Sequence, residues 1–178
     1  MRAPFRRVAP PPADVLSRAG LARGDKVLAH TVTTDGTWLL GTRDELLVVG
    51  ERVERIAWEQ VETADWNREE ERLVVSEVGE FGQVRPVHEL AITDPGRLLQ
   101  MIRERVTASV LLQRRATLPG STSGFTVVAR RAPRRDGEVT WAVEYDAGLD
   151  PADPAVQERV AEAIRAARDE VGDTGEPI

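Results

Sequence analysis

Apolar positions in residues 93–112 follow a helical period. Leu98, Leu99, Ile102, Val106 and Val110 fall on one stripe, and Arg97, Arg103, Glu104 and Arg105 fall mostly on the other side. Thr93 or Asp94 can cap the first free N–H groups, and Pro95 suits the first helical turn, so the pattern predicts a helix from about 93 to 112. Such a stripe needs a surface to cover, and the preceding residues supply one. Seven short segments rich in Val, Leu, Thr and Trp alternate with turn signals at 26–33, 37–41, 45–49, 53–58, 61–66, 72–78 and 84–92. Asp35-Gly36 is a tight-hairpin signal, because both residues tolerate positive φ. Thr42-Arg43-Asp44, Gly50, Glu59-Gln60, the polar run 67–71 and Gly79-Glu80-Phe81-Gly82 separate the remaining segments. Sequential hairpins imply an antiparallel meander, and an apolar helix laid over its open end covers what the sheet leaves exposed. The expected fold is therefore α+β and mainly β: a seven-stranded antiparallel barrel over 26–116 with its capping helix.

The flanks carry weaker patterns. Residues 1–12 are rich in Arg and Pro and lack a period, which predicts a mobile tail; 13–20 predict a short helix stopped by Gly20. Residues 117–124 (TLPGSTSG) read as a linker to a further unit. In that unit 125–131 and 138–145 alternate as two strands around a turn at 132–137. Phe125, Val127 and Ala129 share one face, as do Val139, Trp141, Val143 and Tyr145. Asp153-Pro154 opens a last helix with Val156, Val160, Ile164 and Val171 on a stripe beside Ala163 and Ala167. An isolated hairpin is marginal in water, so this hairpin–helix extension over 125–172 must pack on itself, on the barrel or on a second chain. Residues 173–178 read as a frayed end.

The run TWLLGTRDELLVVGERVERIAWEQVETADW resembles bacterial members of the pleckstrin-homology-like (PH-like) class, actinobacterial proteins among them. The resemblance rests on Leu39, Leu40, Thr42, Leu46, Leu47, Val48, Val49, Ile56, Trp58, Val61 and Trp66, and covers about residues 26–112. It is a pattern of hydrophobic spacing and not a catalytic signature. What it implies is a scaffold: such domains bind phosphoinositides, peptides or other proteins.

Composition changes the picture in four places. The chain of 178 residues contains no cysteine, which removes disulfides, thiolate catalysis and Cys-ligated zinc or iron–sulfur sites from consideration. No apolar stretch approaches bilayer length and the N-terminal residues lack the apolar core of a secretory signal, so a cytoplasmic location is the expectation. The net charge of −6 argues against a nucleic-acid partner, although residues 93–118 carry +3 within a chain whose 61–92 and 148–178 stretches carry −5 each. Twenty-three of the 24 basic residues are Arg, which with the abundant Ala reads as GC-rich coding bias; the Arg preference alone is therefore no sign of bidentate recognition.

Little in the sequence points to a reaction. The two histidines, His30 and His88, stand alone in expected strands, and Glu89 next to His88 falls on the opposite face. Ser17, Ser76, Ser109, Ser121 and Ser123 lie in no nucleophile elbow, and no phosphate-binding glycine motif occurs. Gly120–Gly124 is too short to cradle a phosphate, and Glu69-Glu70-Glu71 reads as a solvated loop. The expectation is a non-enzymatic module with no catalytic residues, no metal and no cofactor. The strongest candidate contact surface is basic: Arg130, Arg131, Arg134 and Arg135 bracket a turn, with Arg114 and Arg115 available nearby. These arginines could grip an acidic partner, or pair with Asp136, Glu138 and the acidic last helix. The leading expectation is a protein-interaction or regulatory module that binds a protein partner or itself. The alternative is a peripheral module that binds anionic lipid or a phosphorylated ligand through the arginine cluster.

Overall fold

The computed structural model describes residues 9–79, 85–132 and 138–173. The fold is α+β, mostly strands: ten strands in three antiparallel sheets with three α-helices among the described residues. It divides into two compact units, Met1–Ala108 and Ser109–Ile178.

The first unit begins with helix α1 (Ala13–Ala19), stopped by Gly20 in the left-handed region at φ 56°. Strands β1 (Ala29–Val32), β2 (Trp38–Gly41), β3 (Glu45–Val49) and β4 (Val53–Ala57) form a four-stranded sheet in that order. Strands β5 (Val61–Asn67), β6 (Arg72–Glu77) and β7 (Val87–Ala91) form a second sheet, and helix α2 (Gly96–Ser109) follows. The turn chemistry explains the hairpins. Asp35 accepts from the Thr37 N–H at 3.2 Å and from the Thr33 hydroxyl, with Gly36 at φ 88°. Thr42 Oγ1 accepts from the Asp44 and Glu45 N–H groups in the next turn.

The seven expected strands precede the helix, but they do not close into a barrel. After β4 the chain enters a 3₁₀ turn, Trp58–Gln60, that starts β5 in a separate sheet. Trp58 is fully buried and its indole N–H donates to the Thr42 carbonyl at 3.2 Å, so the turn is fixed by packing a large side chain into the corner. At the other end β1 meets the chain leaving β7 through single bonds: Thr34 N–H to the Ala91 carbonyl at 2.9 Å and the Thr31 hydroxyl to the Asp94 carbonyl at 2.8 Å.

The apolar stripe of α2 covers the space between the sheets. Leu98, Met101 and Ile102 are buried with Leu39, Leu46, Val48, Ile56, Trp58, Val61, Leu73, Val75 and Ile92. Gly41 permits this approach, because a Cβ there would lie 2.9 Å from Leu98 Cδ1 and 3.0 Å from Met101 Sδ. The reverse face of the first sheet is covered too: Val15 and Ala19 of α1 pack on Leu40, Leu47 and Val49. Burial on both faces explains why Leu39-Leu40 and the run Leu46–Val49 are continuously apolar and do not alternate. The Arg55 guanidinium donates to the Ala19 and Gly20 carbonyls at 2.6 and 2.8 Å, satisfying the C-terminal end of α1.

In the second unit the outcome differs from expectation at its start. The helix ends at Ser109, and Val110–Thr117 forms strand β8 beside β9 (Gly124–Arg131) and β10 (Val139–Tyr145). Val110, counted in the helical stripe, opens a β-branched and leucine-rich run that pairs with Arg130. Residues 118–123 are consequently the hairpin loop between β8 and β9, so the stretch 117–124, expected as a linker, lies within the second unit. Helix α3 (Pro154–Val171) lies on one face, with the Asp153 carboxylate accepting from the Ala155 N–H at 2.8 Å. Its Val156, Val160 and Ala167 bury Phe125 and Val127, with Trp141, Val143 and Tyr145 half-buried around them. The expected face assignments of both strands hold. Asp173, expected in the frayed end, accepts from the Trp141 indole N–H at 2.9 Å; the rest of that end, 174–178, and residues 1–8 of the expected tail lie outside the described residues. Among the described residues no helix is long and apolar enough to cross a membrane.

Candidate functional site

The six arginines singled out by sequence fall in different environments, and Arg134 and Arg135 lie outside the described residues. Arg114 and Arg115 are neighbours on β8, so their side chains leave opposite faces of the sheet. Arg114 shares the face covered by α3 and reaches Glu170 at 2.6 Å. Arg115 grips Asp146 with two nitrogens at 2.9 and 2.6 Å. Asp146 also accepts the Gly124 N–H at 2.8 Å. The Arg115 bonds, then the Gly124 bond, hold the Asp146 carboxyl down at about 2, and the Arg115 guanidinium is raised in turn. Arg130 is only 7% exposed and its Nη1 lies 3.4 Å from the Ser109 hydroxyl. Arg131 is half-buried. Among the described residues Arg114 and Arg115 tie β8 to α3 and to Asp146, Arg130 is buried against Ser109, and the four do not converge on one open surface.

The histidines also separate. His30 contacts the Ala9 carbonyl at 3.1 Å and lies near the Trp38 ring. His88, on β7, has carboxylates at both ring nitrogens: Glu77 of β6 at 2.6 Å and Glu54 of β4 at 3.2 Å. Glu77 and His88 belong to the second sheet and Glu54 to the first, so the ring spans the two sheets. This cluster leaves no trace in residue order, since Glu54 and His88 are 34 residues apart and meet only because one sheet folds over the other. No group of three His, Asp or Glu side chains among the described residues is arranged to hold a metal ion.

Described residues also line two surface clefts. One, of about 630 Å³, is lined by the β8–β9 loop from Thr117 to Thr122 together with Arg159 and Glu162, which pair with each other. The other, of about 230 Å³, runs between α2 and the start of β1 in the first unit. Its helical wall is Arg97, Gln100, Met101, Glu104 and Arg105, and its other wall is Leu28 and Ala29. Leu28 is 48% exposed although it lies next to a core strand. The Gln100 amide donates to Glu104 at 2.8 Å. Arg97 and Arg105 make no ion pair among the described residues. The cleft was legible in part: positions 97, 100, 101, 104 and 105 recur at helical spacing, so they form a second stripe beside the apolar one. What faces that stripe was not legible. Comparison with protein-family models, with curated proteins and with solved structures finds no match for this chain.

Proposed function

We propose that the chain is a non-enzymatic protein-interaction or regulatory module whose first unit is PH-like. Seven strands followed by a helix is the element order that the sequence resemblance implies, and that order supports this reading although the strands lie in two sheets of four and three and not in a closed barrel. The observation that carries the functional part is the cleft between α2 and β1. It sets an edge strand, with a ladder partner on one side only, beside a helix face bearing two guanidinium groups that lack carboxylate partners among the described residues. An edge strand and a helix together present backbone hydrogen-bonding groups, apolar surface and charge to an extended partner.

The alternative, an anionic lipid or phosphorylated ligand held by the arginines of the second unit, draws less support. Arg114 and Arg115 already hold carboxylates and Arg130 is buried. The test is a crosslinked pull-down of the tagged chain from native cells, with soluble and membrane fractions kept apart and identified by mass spectrometry. A stoichiometric protein partner in the soluble fraction is the expected result. Recovery chiefly with membranes, lost at high salt, overturns it in favour of the arginine-driven alternative.

A further inference from the structure

From the charge and dimensions of the α2–β1 cleft, we propose that it is a docking site for an acidic segment in extended conformation, bound beside β1 with carboxylates on Arg97 and Arg105. This deepens the interaction-module reading and rests on it. Three observations lead to the occupant.

The first is charge. The cleft carries Arg97 and Arg105 against one carboxylate, Glu104, which is occupied by the Gln100 amide. The balance is positive in a chain of net charge −6, so an acidic partner is steered to this cleft and repelled from the acidic remainder. The second is spacing. Arg97 and Arg105 are eight residues apart on α2, about 12 Å along a helix axis. An extended chain rises about 3.3 Å per residue, so 12 Å matches four residues. Positions four apart on a strand point the same way, and two carboxylates at that spacing meet both guanidinium groups. The third is the opposite wall. β1 stands at the edge of its sheet, and Leu28 exposes apolar surface at its start. A bound strand would gain main-chain bonds at the Leu28–His30 end of β1, clear of the Thr31 and Thr34 bonds to residues 91–94, and an apolar contact with Leu28, while its other side chains point to solvent.

The probe is a fluorescein-labelled peptide of alternating valine and threonine with two aspartates four positions apart, titrated into the full-length chain at low salt and followed by fluorescence anisotropy. Binding is expected, with amide shift changes in an NMR spectrum concentrated in Ala29–Val32 and along α2. Replacing both aspartates by asparagine should weaken binding by about tenfold or more, as should the double variant Arg97→Glu, Arg105→Glu. A peptide with arginines in place of the aspartates should bind that double variant and not the parent chain, which also shows that the variant is folded. Absence of binding overturns the proposal. So does binding that ignores the aspartates, the double substitution or both, or shift changes confined to other elements. A pull-down partner that leaves the cleft unperturbed would sink this inference and leave the interaction-module reading standing. Failure of both peptide and pull-down would sink both.

Discussion

Asp146 shows how one side chain closes a unit. It sits just past β10, and its carboxylate receives two bonds from Arg115 on β8 and one from Gly124 at the start of β9, so it joins all three strands of the sheet. Its carboxyl is held at about 2, below its unfolded value of about 4. A group depressed on folding contributes stability that is present above its unfolded value and lost as pH falls through the folded one. Acid titration of the unfolding transition should therefore show a loss between about pH 4 and pH 2 that Asp146→Asn reduces, with the variant less stable than the parent at neutral pH. A parent chain whose acid transition is unchanged by the substitution would show that the contact contributes nothing. Gly41 acts through what it lacks. Adding a methyl group there forces Leu98 and Met101 back from β2, so Gly41→Ala should cost about 1–3 kcal/mol in denaturant unfolding, the range for overpacking a core.

At the scale of elements, α1 is the clearest case of a helix held by its surroundings. Seven residues are too few to be helical in isolation, and no side chain caps its N-terminus. It is held by Val15 and Ala19 on the outer face of the first sheet, by Arg18 to the Gly50 carbonyl at 2.7 Å, and by Arg55 on its last carbonyls. Arg55→Ala should speed hydrogen exchange of the Ala13–Ala19 amides by about three- to tenfold, the equivalent of roughly 0.7–1.4 kcal/mol for a lost charge-assisted cap, while the amides of β2 and β3 stay protected. Uniform loss of protection across the sheet would mean that α1 is part of the sheet's own cooperative unit. The helix α3 needs less outside help. It has an Asp153 cap, Pro154 in its first turn and Gly172 in the left-handed region at φ 70°, and these are local signals that a sequence displays openly.

Besides the α1 cluster on the reverse face of the first sheet, the described residues form two cores that share no buried residue. One is the space between the first two sheets filled by α2, and the other is the face of the third sheet covered by α3. Truncation in either should cost what a buried large side chain costs: about 2–5 kcal/mol for Ile102→Ala and about 3–5 kcal/mol for Phe125→Ala. Hydrogen exchange locates the damage. Ile102→Ala is expected to expose the amides of β2, β3 and β6, and Phe125→Ala those of β8 and β10. A variant that leaves the amides of its own unit fully protected would contradict the core assignment.

Much of this was readable from residue order, because it depends on near neighbours. The turn at Asp35-Gly36, the stop at Gly20, the cap at Asp153 and the face alternation of β9 and β10 are all decided within a few residues by φ preference, hydrogen-bonding side chains and the two-residue strand period. The helical stripe of α2 was equally local, and so was its error. Val110 fits the helical period as well as a strand, and only pairing with β9 decides that the chain turns extended there. The split of seven strands into two sheets also escaped local reading, because it hangs on how deeply Trp58 packs and not on any turn signal. Arg114 and Arg115 looked like one basic patch because they are adjacent in sequence, yet the strand sends them to opposite faces and to different carboxylates. Sequence alone thus determined the mainly β class and, apart from β8, the strands and helices with their faces, since these follow from periodicity and local sterics. The tertiary structure alone decided which charges meet: it set His88 between Glu54 and Glu77, buried Arg130, and left Arg97 and Arg105 lining a cleft, because each outcome depends on partners brought from distant parts of the chain.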